Sequence, residues 1–284
     1  MNREKDSVNC AVTTCDKMVR PKKHLGQHFL RDENIARKII SYINPEFPYI
    51  LEIGPGLGVL SKYLLQDVLL EPFFMEVDRD SVAYLTEHYP KMAGRLFLAD
   101  FLEVNLNLFP PAVAGEKFTI IGNFPYNIST QILFRVLDHR NRVPEVIGMF
   151  QKEVAERIAA PPGSKTYGII SVLLQTFYSI EYLFTVNETV FYPPPKVKSA
   201  VIRLRRNGVD HLNCDETLFT KVVKMAFNQR RKTLRNALKP MLPRELIHHH
   251  LSLRAEQLSV QDFIELTNLL SPQNSAETGK IKKS

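Results

Sequence analysis

Short apolar segments of strand length alternate with segments of helical periodicity between residues 49 and 159, and this alternation restricts the possible folds more than any other feature. The predicted strands are YILEIGPGLG at 49–58, which runs into a glycine-rich turn, LLEPFFMEVD at 69–78, RLFLAD at 95–100, FTIIGN at 118–123 and EVIGMF at 145–150. The predicted helices include residues 80–88, 129–137 and 151–159. Such alternation is typical of a mainly parallel sheet with helices on both faces, so the fold class is α/β.

The pattern changes toward the carboxyl terminus. YSIEYLFTV (178–186) and SAVIRLRR (199–206) are predicted to pair as an antiparallel edge, and helical spacing alone continues over 216–271. The predicted organisation is a flexible arm at 1–20, an α/β domain at 21–206, a small all-helical domain at 207–271 and a disordered tail at 272–284.

Composition favours an intracellular globular protein. Hydrophobic residues make up 44% of the 284 residues, enough for a substantial core. Three cysteines (Cys10, Cys15 and Cys214) cannot build a disulfide framework or a zinc site of familiar spacing, so we expect no metal. The amino terminus lacks an apolar signal segment and no apolar run has the length of a membrane span. We therefore expect a cytoplasmic protein without a membrane partner.

The turn Gly54-Pro55-Gly56-Leu57-Gly58 follows a strand and precedes a helix. Glycines there let a ligand approach the backbone, and a helix start offers free N–H groups. A dinucleotide fingerprint requires a small residue where this chain has Val59. The motif therefore suits a cofactor without a pyrophosphate, such as S-adenosylmethionine, although a purely structural turn also fits a bare glycine match.

Two acidic residues at successive predicted strand ends favour the cofactor interpretation. Glu76 follows Gly54 by about 20 residues, the spacing at which a carboxylate binds ribose hydroxyls. Asp100 ends the third predicted strand, where it can accept a hydrogen bond from an adenine amino group. The alternative is that each carboxylate only caps the following helix.

The tetrad Asn123-Phe124-Pro125-Tyr126 ends the fourth predicted strand and predicts a reaction site on a base. The side-chain carbonyl of Asn123 and the backbone carbonyl of Phe124 can accept the two hydrogens of an exocyclic amino group, which frees the nitrogen lone pair for attack. Pro125 makes this edge rigid, and Tyr126 offers a flat face for stacking the base. An Asn-Pro turn without function is the alternative.

At this point the sequence closely resembles the ribosomal RNA adenine N6,N6-dimethyltransferases, specifically the bacterial small-subunit enzymes. The matching segments are LGQHFLRD at 25–32, EIGPGLG at 52–58, GNFPYNIST at 122–130, FYPPPKVKSAVIRL at 191–204 and AFNQRRKTLRNAL at 226–238. The resemblance implies a Rossmann-like, S-adenosylmethionine-dependent methyltransferase domain with a small helical carboxyl-terminal domain. It also implies dimethylation of two adjacent adenosines in the 3′-terminal hairpin of 16S rRNA within immature 30S subunits, by a protein expected to be a monomer.

The resemblance also assigns roles to individual residues. The cofactor contacts that it implies are His28, Leu30, Gly54, Glu76, Asp100 and Asn123, to which the glycine-turn argument adds Gly56. Phe191 is expected to form the second wall of the base pocket, facing Tyr126. Two positions depart from the common bacterial pattern: His28 replaces Asn, and Phe124 replaces Leu. Imidazole and amide can both form hydrogen bonds to the cofactor, so the prediction is retained.

A run of basic residues predicts the surface that binds RNA. The run is Lys221, Lys224, Arg230, Arg231, Lys232, Arg235, Lys239 and Arg244, with no acidic residue between its ends. A run of one sign favours phosphate contacts over an ordinary solvated helix face.

Arg20, Lys22 and Lys23 are candidates for a second RNA clamp, or simply for scattered charge on an arm. His248, His249 and His250 lie in a predicted helical stretch, where consecutive residues cannot share one face, so no metal site is expected there.

Three other functions compete with the leading hypothesis. One is the antibiotic-resistance relative that dimethylates 23S rRNA, which the FYPPPKV and AFNQRRKTLRN segments disfavour. A DNA adenine methyltransferase would need a larger target-recognition domain than residues 207–271 provide. The third is a ribosome-assembly factor that acts mainly by binding, a role that can coexist with catalysis.

Overall fold

A computed structural model describes residues 19–110, 114–243 and 245–271. The predicted tail lies outside these residues, as do Arg244 and all but the last two residues of the predicted arm. The strands are β1 Phe29–Leu30, β2 Tyr49–Ile53, β3 Glu71–Glu76, β4 Leu96–Leu98, β5 Thr119–Asn123, β6 Glu145–Gln151, β7 Tyr178–Val186, β8 Phe191–Tyr192 and β9 Ser199–Arg206. The α-helices are α1 Glu33–Ile40, α2 Ser61–Leu64, α3 Arg79–His88, α4 Ser129–Asp138, α5 Lys152–Ala159, α6 Ile169–Phe177, α7 Glu216–Asn228, α8 Leu234–Ala237 and α9 Val260–Leu269.

Seven strands form one sheet in the order β4-β3-β2-β5-β6-β9-β7. The first five are parallel, which confirms the predicted α/β class. Strands β9 and β7 are antiparallel to their neighbours and lie at one edge of the sheet. The predicted antiparallel pair is therefore also confirmed. The strand order reverses between β2 and β5. Ligands of open α/β sheets bind outside the carboxyl ends of the strands at such a reversal.

The parallel strands are buried because their successive side chains point to opposite faces and both faces are covered. On β2, Leu51 packs into one hydrophobic cluster and Ile50 into the other, and neither is exposed. The hydrophobic cluster that contains Leu51 also contains Phe219 of α7 and Phe263 of α9. The carboxyl-terminal helices therefore share apolar packing with the sheet. The predicted division into two domains remains a prediction.

Two structural features were not predicted from the sequence. The two-residue strands β1 and β8 pair with each other, with Leu30 opposite Phe191, and join the amino-terminal segment to the segment before β9. Helix α6 comes from IISVLLQTF, whose almost continuous apolar residues give no amphipathic period because most of them are buried.

In the described part of the chain, no helix combines the length and apolarity needed to cross a membrane.

The interpretation of the three consecutive histidines is wrong in its geometry. His248 has an extended backbone and the next residues form a single 3-10 turn at His249–Ser252, so this stretch is not an α-helix. The three imidazoles therefore gather, with ring centroids 4.0 to 4.8 Å apart.

Candidate active site

A cavity opens at the reversal of strand order, beyond the carboxyl ends of β2 and β5. Its volume, including the space open to solvent, is about 690 Å³. Its walls are residues 25–30, the glycine-rich turn after β2, the end of β3 and residues 123–126 after β5. Most of the residues predicted for cofactor and base therefore meet in one place.

The glycine-rich turn requires glycine at two positions for different reasons. Gly54 has a φ of 68°, and a Cβ there would meet no atom within 4 Å, so the space beside its backbone is free. Gly56 has a φ of 58°, and a Cβ there would lie 2.9 Å from the ring of Phe29. A side chain at either position would strain the left-handed backbone. At Gly56 it would also disturb the cavity wall.

Glu76 ends β3 and holds the turn in place. Its Oε2 accepts a hydrogen bond from the Gly56 N–H at 3.1 Å, and its Oε1 accepts from Val77 and Asp78 at 2.9 and 3.0 Å. Burial raises the pKa of this carboxyl, and the three backbone donors partly oppose the rise. Asp78, not Glu76, caps α3. The capping alternative for Glu76 is therefore wrong, and its carboxylate lies in the cavity wall.

Asp100 behaves differently from Glu76. Strand β4 ends at Leu98, and Asp100 lies in the following turn, where its Oδ1 accepts a hydrogen bond from the Leu102 N–H at 2.8 Å. Asp100 is not among the residues that line the cavity. Residues 101–103 form a turn and not a helix, so Asp100 makes a local turn contact and is not a helix cap, and its cofactor role remains a prediction.

A hydrogen bond joins His28 and Asn123 in the cavity wall. The Asn123 Nδ2 donates to the His28 carbonyl oxygen at 2.7 Å, which leaves Oδ1 as the acceptor end of the amide. The His28 Nδ1 lies 2.7 Å from the carbonyl oxygen of Pro193. Because a carbonyl only accepts, the His28 Nδ1 is the donor of this hydrogen bond. Leu30 follows in the same wall.

The side chain of Phe124 is buried, and two glycines make room for it. Gly122 and Gly148 are paired on β5 and β6, and a Cβ on either would come closer than 3.0 Å to the Phe124 ring. Phe150 packs edge-on against the same ring at a centroid distance of 5.2 Å. The ring therefore anchors the tetrad in the core, and the role of the Phe124 backbone carbonyl remains a prediction.

Tyr126 lies in the cavity wall, whereas Phe191 does not. The Tyr126 hydroxyl lies 2.5 Å from Ser199 Oγ, and His28 covers one face of its ring with the centroids 5.4 Å apart. Phe191 is only 3% exposed and belongs to a hydrophobic cluster with Leu30. Strand alternation on β8 turns Phe191 inward and Tyr192 outward. The role of Phe191 as the second wall of a base pocket, facing Tyr126, remains a prediction.

Sequence reasoning missed Glu52, although an acid inside the apolar strand YILEI was the available signal. Glu52 is 1% exposed, lines the cavity and accepts a hydrogen bond from Ser61 Oγ at 2.6 Å. Burial raises its pKa to about 8; the Ser61 hydrogen bond opposes this rise and the charge of Glu76 adds to it. Glu52 therefore tends to stay protonated at neutral pH.

The predicted amino-terminal clamp is only partly available. Lys22 Nζ forms ion pairs with Asp78 at 2.5 Å and Asp80 at 2.8 Å, and hydrogen bonds to both carboxylates raise its pKa. This side chain thus links the amino-terminal segment to the start of α3, and its part in an RNA clamp remains a prediction. Arg20 and Lys23 are exposed.

The basic run of the carboxyl-terminal helices is exposed wherever the structure describes it. Its exposed members are Lys221, Lys224, Arg230, Arg231, Lys232, Arg235 and Lys239. Lys224 and Arg230 also line a groove together with Arg157 of α5 and Lys165. Arg157 and Lys165 were not predicted as neighbours of the basic run, because they are distant from it in sequence and only packing brings them beside it.

Replacing Glu52 by Gln is expected to change the pH dependence of the free energy of unfolding. The pKa of Glu52 is about 8 in the folded protein, against an ordinary value of 4.5. Between these values the folded state holds the extra proton, so the wild-type protein loses up to about 1.4 kcal/mol of stability per pH unit as the pH rises. Gln stays neutral and keeps an acceptor for Ser61, so the variant should lack this loss.

Urea unfolding across about pH 5 to 8 measures the effect. The difference in free energy of unfolding, Glu52→Gln minus wild type, should rise with pH. Glu87→Gln, on the exposed side of α3, is the control and should follow the wild type. Parallel pH curves for Glu52→Gln and wild type would contradict the proposed burial of a protonated carboxyl.

Comparisons with known proteins agree with this site. The family model described as "Ribosomal RNA adenine dimethylase" matches residues 18–271. A protein of Cytophaga hutchinsonii named "Ribosomal RNA small subunit methyltransferase A" is 57% identical over 258 residues, covering 89% of this chain and 98% of its own. A Bacteroides fragilis protein of the same name is 55% identical over 258 residues, covering 89% and 93%.

Solved structures show the same fold. A dimethyladenosine transferase from Plasmodium falciparum has a TM-score of 0.68 at 23% identity, covering 84% of this chain and 96% of its own. The 23S rRNA methyltransferase ErmE has a TM-score of 0.62 at 24% identity, covering 84% and 99%. The fold is therefore that of S-adenosylmethionine-dependent rRNA methyltransferases, and the family match over residues 18–271 shows that this chain belongs to the ribosomal RNA adenine dimethylase family.

Proposed function

We propose that this protein transfers methyl groups from S-adenosylmethionine to N6 of two adjacent adenosines in the 3′-terminal hairpin of 16S rRNA, two to each adenosine. The observation that carries the proposal is the position of the tetrad 123–126, which lies against a glycine-lined cavity at the reversal of strand order. Family membership and the names of relatives more than half identical to this chain support the same activity.

The cavity suits S-adenosylmethionine. The free space beside Gly54 admits a ligand against the backbone. Glu76 accepts three N–H groups and keeps one lone pair, on Oε2, for a ribose hydroxyl. His28, Leu30, Gly56 and Asn123 would complete the contacts, and Asp100 would use Oδ2 for the adenine amino group. When bound, the cofactor supplies an electrophilic methyl group.

The tetrad would orient the target amino group. Asn123 Oδ1 and the Phe124 carbonyl accept its two hydrogens, so the nitrogen becomes pyramidal and its lone pair points toward the cofactor side. Pro125 lacks an N–H and keeps this edge rigid. Because His28 already covers one face of Tyr126, we assign the target base to the other face. Catalysis of this kind depends mainly on alignment.

No general base is needed in this scheme. Burial raises the pKa of Tyr126, although its hydrogen bond with Ser199 opposes the rise, so the phenol stays neutral and serves as a stacking surface. The proton of the methylated amino group then leaves to water.

The exposed basic run is assigned to the phosphates of the rRNA. The substrate that we propose is the immature 30S subunit, bound by a monomer in the cytoplasm. The dimethyladenosine transferase and the 23S rRNA methyltransferase have similar TM-scores to this chain, and the names of the sequence relatives favour the small subunit. A role in subunit assembly through binding is compatible with catalysis.

Replacing Asn123 by Ala should lower the rate of methyl transfer by roughly 10²-fold or more, because the acceptor that orients the amino group is lost. Affinity for the RNA should change little, since the basic run is untouched. Single-turnover transfer of labelled methyl and a binding titration on the same subunits measure the two effects. Asn127→Ala removes the same group from an exposed position four residues later and serves as the control. Equal losses of transfer and binding would contradict this division of roles.

Replacing Arg230, Arg231 and Lys232 together by Gln should weaken RNA binding and reduce its salt dependence. Each lost phosphate contact should reduce the slope of log K against log salt concentration by about 1. The control replaces the exposed Lys38, Lys91 and Lys117 by Gln. It removes the same charge from outside the run and should keep the wild-type slope. An unchanged slope in the first variant would show that the basic run does not contact the RNA.

A further inference from the structure

A cluster of metal-ligating side chains lies in the carboxyl-terminal helical region. The turn before the last helix supplies His248 and His250, and the first turns of α9 supply Asp262 and Glu265. The two carboxylates are three residues apart and therefore share one helix face. This cluster has no part in the proposed methyl transfer.

His250, Asp262 and Glu265 offer ligand atoms that all lie within 4.8 Å of one another, and His248 contacts Glu265. Glu265 bridges the histidines: its Oε1 lies 3.2 Å from His248 Nε2 and its Oε2 lies 3.4 Å from His250 Nε2. Asp262 Oδ1 lies 3.7 Å from the same His250 Nε2. Two ligand atoms on a tetrahedral zinc ion are about 3.4 Å apart. Charge-assisted hydrogen bonds are shorter, at about 2.7–2.9 Å.

The two carboxylate oxygens of Asp262 have different partners, which leaves Oδ1 available to a metal ion. Oδ2 accepts hydrogen bonds from the backbone N–H and the hydroxyl of Ser259, both at 2.8 Å, in the capping box of α9. The start of the helix thus fixes the carboxylate and directs Oδ1 toward His250. A positioned carboxylate oxygen costs less entropy to bind than one on a mobile side chain.

A separate observation concerns the burial of His250. Its side chain is 6% exposed, and its Nδ1 has no hydrogen-bond partner among the described residues. Because Nδ1 is unpartnered, the polar contacts of this ring are made through Nε2, the atom directed at the carboxylates.

We propose that His248, His250, Asp262 and Glu265 bind a divalent transition-metal ion, with zinc as the best match. Two imidazole nitrogens and two carboxylate oxygens form a four-coordinate set of the type that zinc accepts. The ion reaches the site through Glu265, whose side chain is 49% exposed. His249 is exposed and belongs to the same group of imidazoles, but it has no ion pair with either carboxylate and is not assigned.

The ion would fasten the segment before α9 to that helix. Arg235 of the basic run donates a hydrogen bond to the carbonyl oxygen of Leu246, two residues before His248, at 3.0 Å. The site would therefore have a structural role close to the surface assigned to RNA, and it does not depend on the methyl-transfer activity.

The test uses the full chain freed of any histidine tag and stripped of metal with a chelator. Calorimetric titration with zinc chloride should show one saturable site, and cobalt(II) should give the intense visible absorption of tetrahedral coordination. His248→Ala and Glu265→Gln should each weaken zinc binding at least 10-fold and abolish the cobalt band. Both side chains are partly exposed, so these variants should fold; His250→Ala is avoided because it opens a cavity.

His211→Ala removes an exposed histidine outside the cluster and should bind zinc like the wild type. Zinc should also raise the Tm of the wild type and of His211→Ala, but not that of His248→Ala. The proposal is overturned if zinc does not saturate a site, or if His248→Ala and Glu265→Gln bind it with wild-type affinity, as they would if cysteines held the ion.

Discussion

Parallel strands place their carboxyl ends at one edge of a sheet, and the reversal of strand order between β2 and β5 opens a crevice at that edge. The proposed chemistry of this chain depends on that constraint. It brings the turn after β2, Glu76 at the end of β3 and the tetrad after β5 around one cavity. Residues far apart in sequence thus meet without any long-range motif.

Buried contacts beneath the cavity keep its walls in place. Glu76 gathers backbone N–H groups from two strand ends, and Asn123 joins the tetrad to the segment that carries His28. Phe124 anchors the same tetrad in a hole left by Gly122 and Gly148. An alignment mechanism needs this rigidity, because small displacements of the reacting groups cost large factors in rate.

Much of the fold was predictable from the sequence, because period and length separate strands from helices between residues 49 and 159. Gly54, Glu76, Asn123 and Tyr126 were placed at the cavity by the rule that ligands bind at strand ends. The burial of Phe191 could not be predicted, because it depends on the pairing of two very short strands. Such short pairings leave no periodic signal.

Other features depend on contacts that no local pattern shows. Lys22 pairs with Asp78, which is 56 residues away, so its ion pair was not visible in the sequence. The two glycines that accommodate Phe124 lie on different strands. The histidine cluster was dismissed because the sequence predicted an α-helix where the chain forms an extended residue and a short turn. In each case tertiary packing, not local propensity, decides the geometry.

The central claim is that this cavity and tetrad dimethylate adenosines of the small-subunit rRNA. The most direct measurement is transfer of labelled methyl from S-adenosylmethionine to immature 30S subunits that lack the modification, with mapping of the labelled nucleotides. The proposal predicts label as dimethyladenosine at the two adjacent adenosines of the 3′-terminal hairpin. Label confined to 23S rRNA, or tight binding to the subunit without any label, would contradict it.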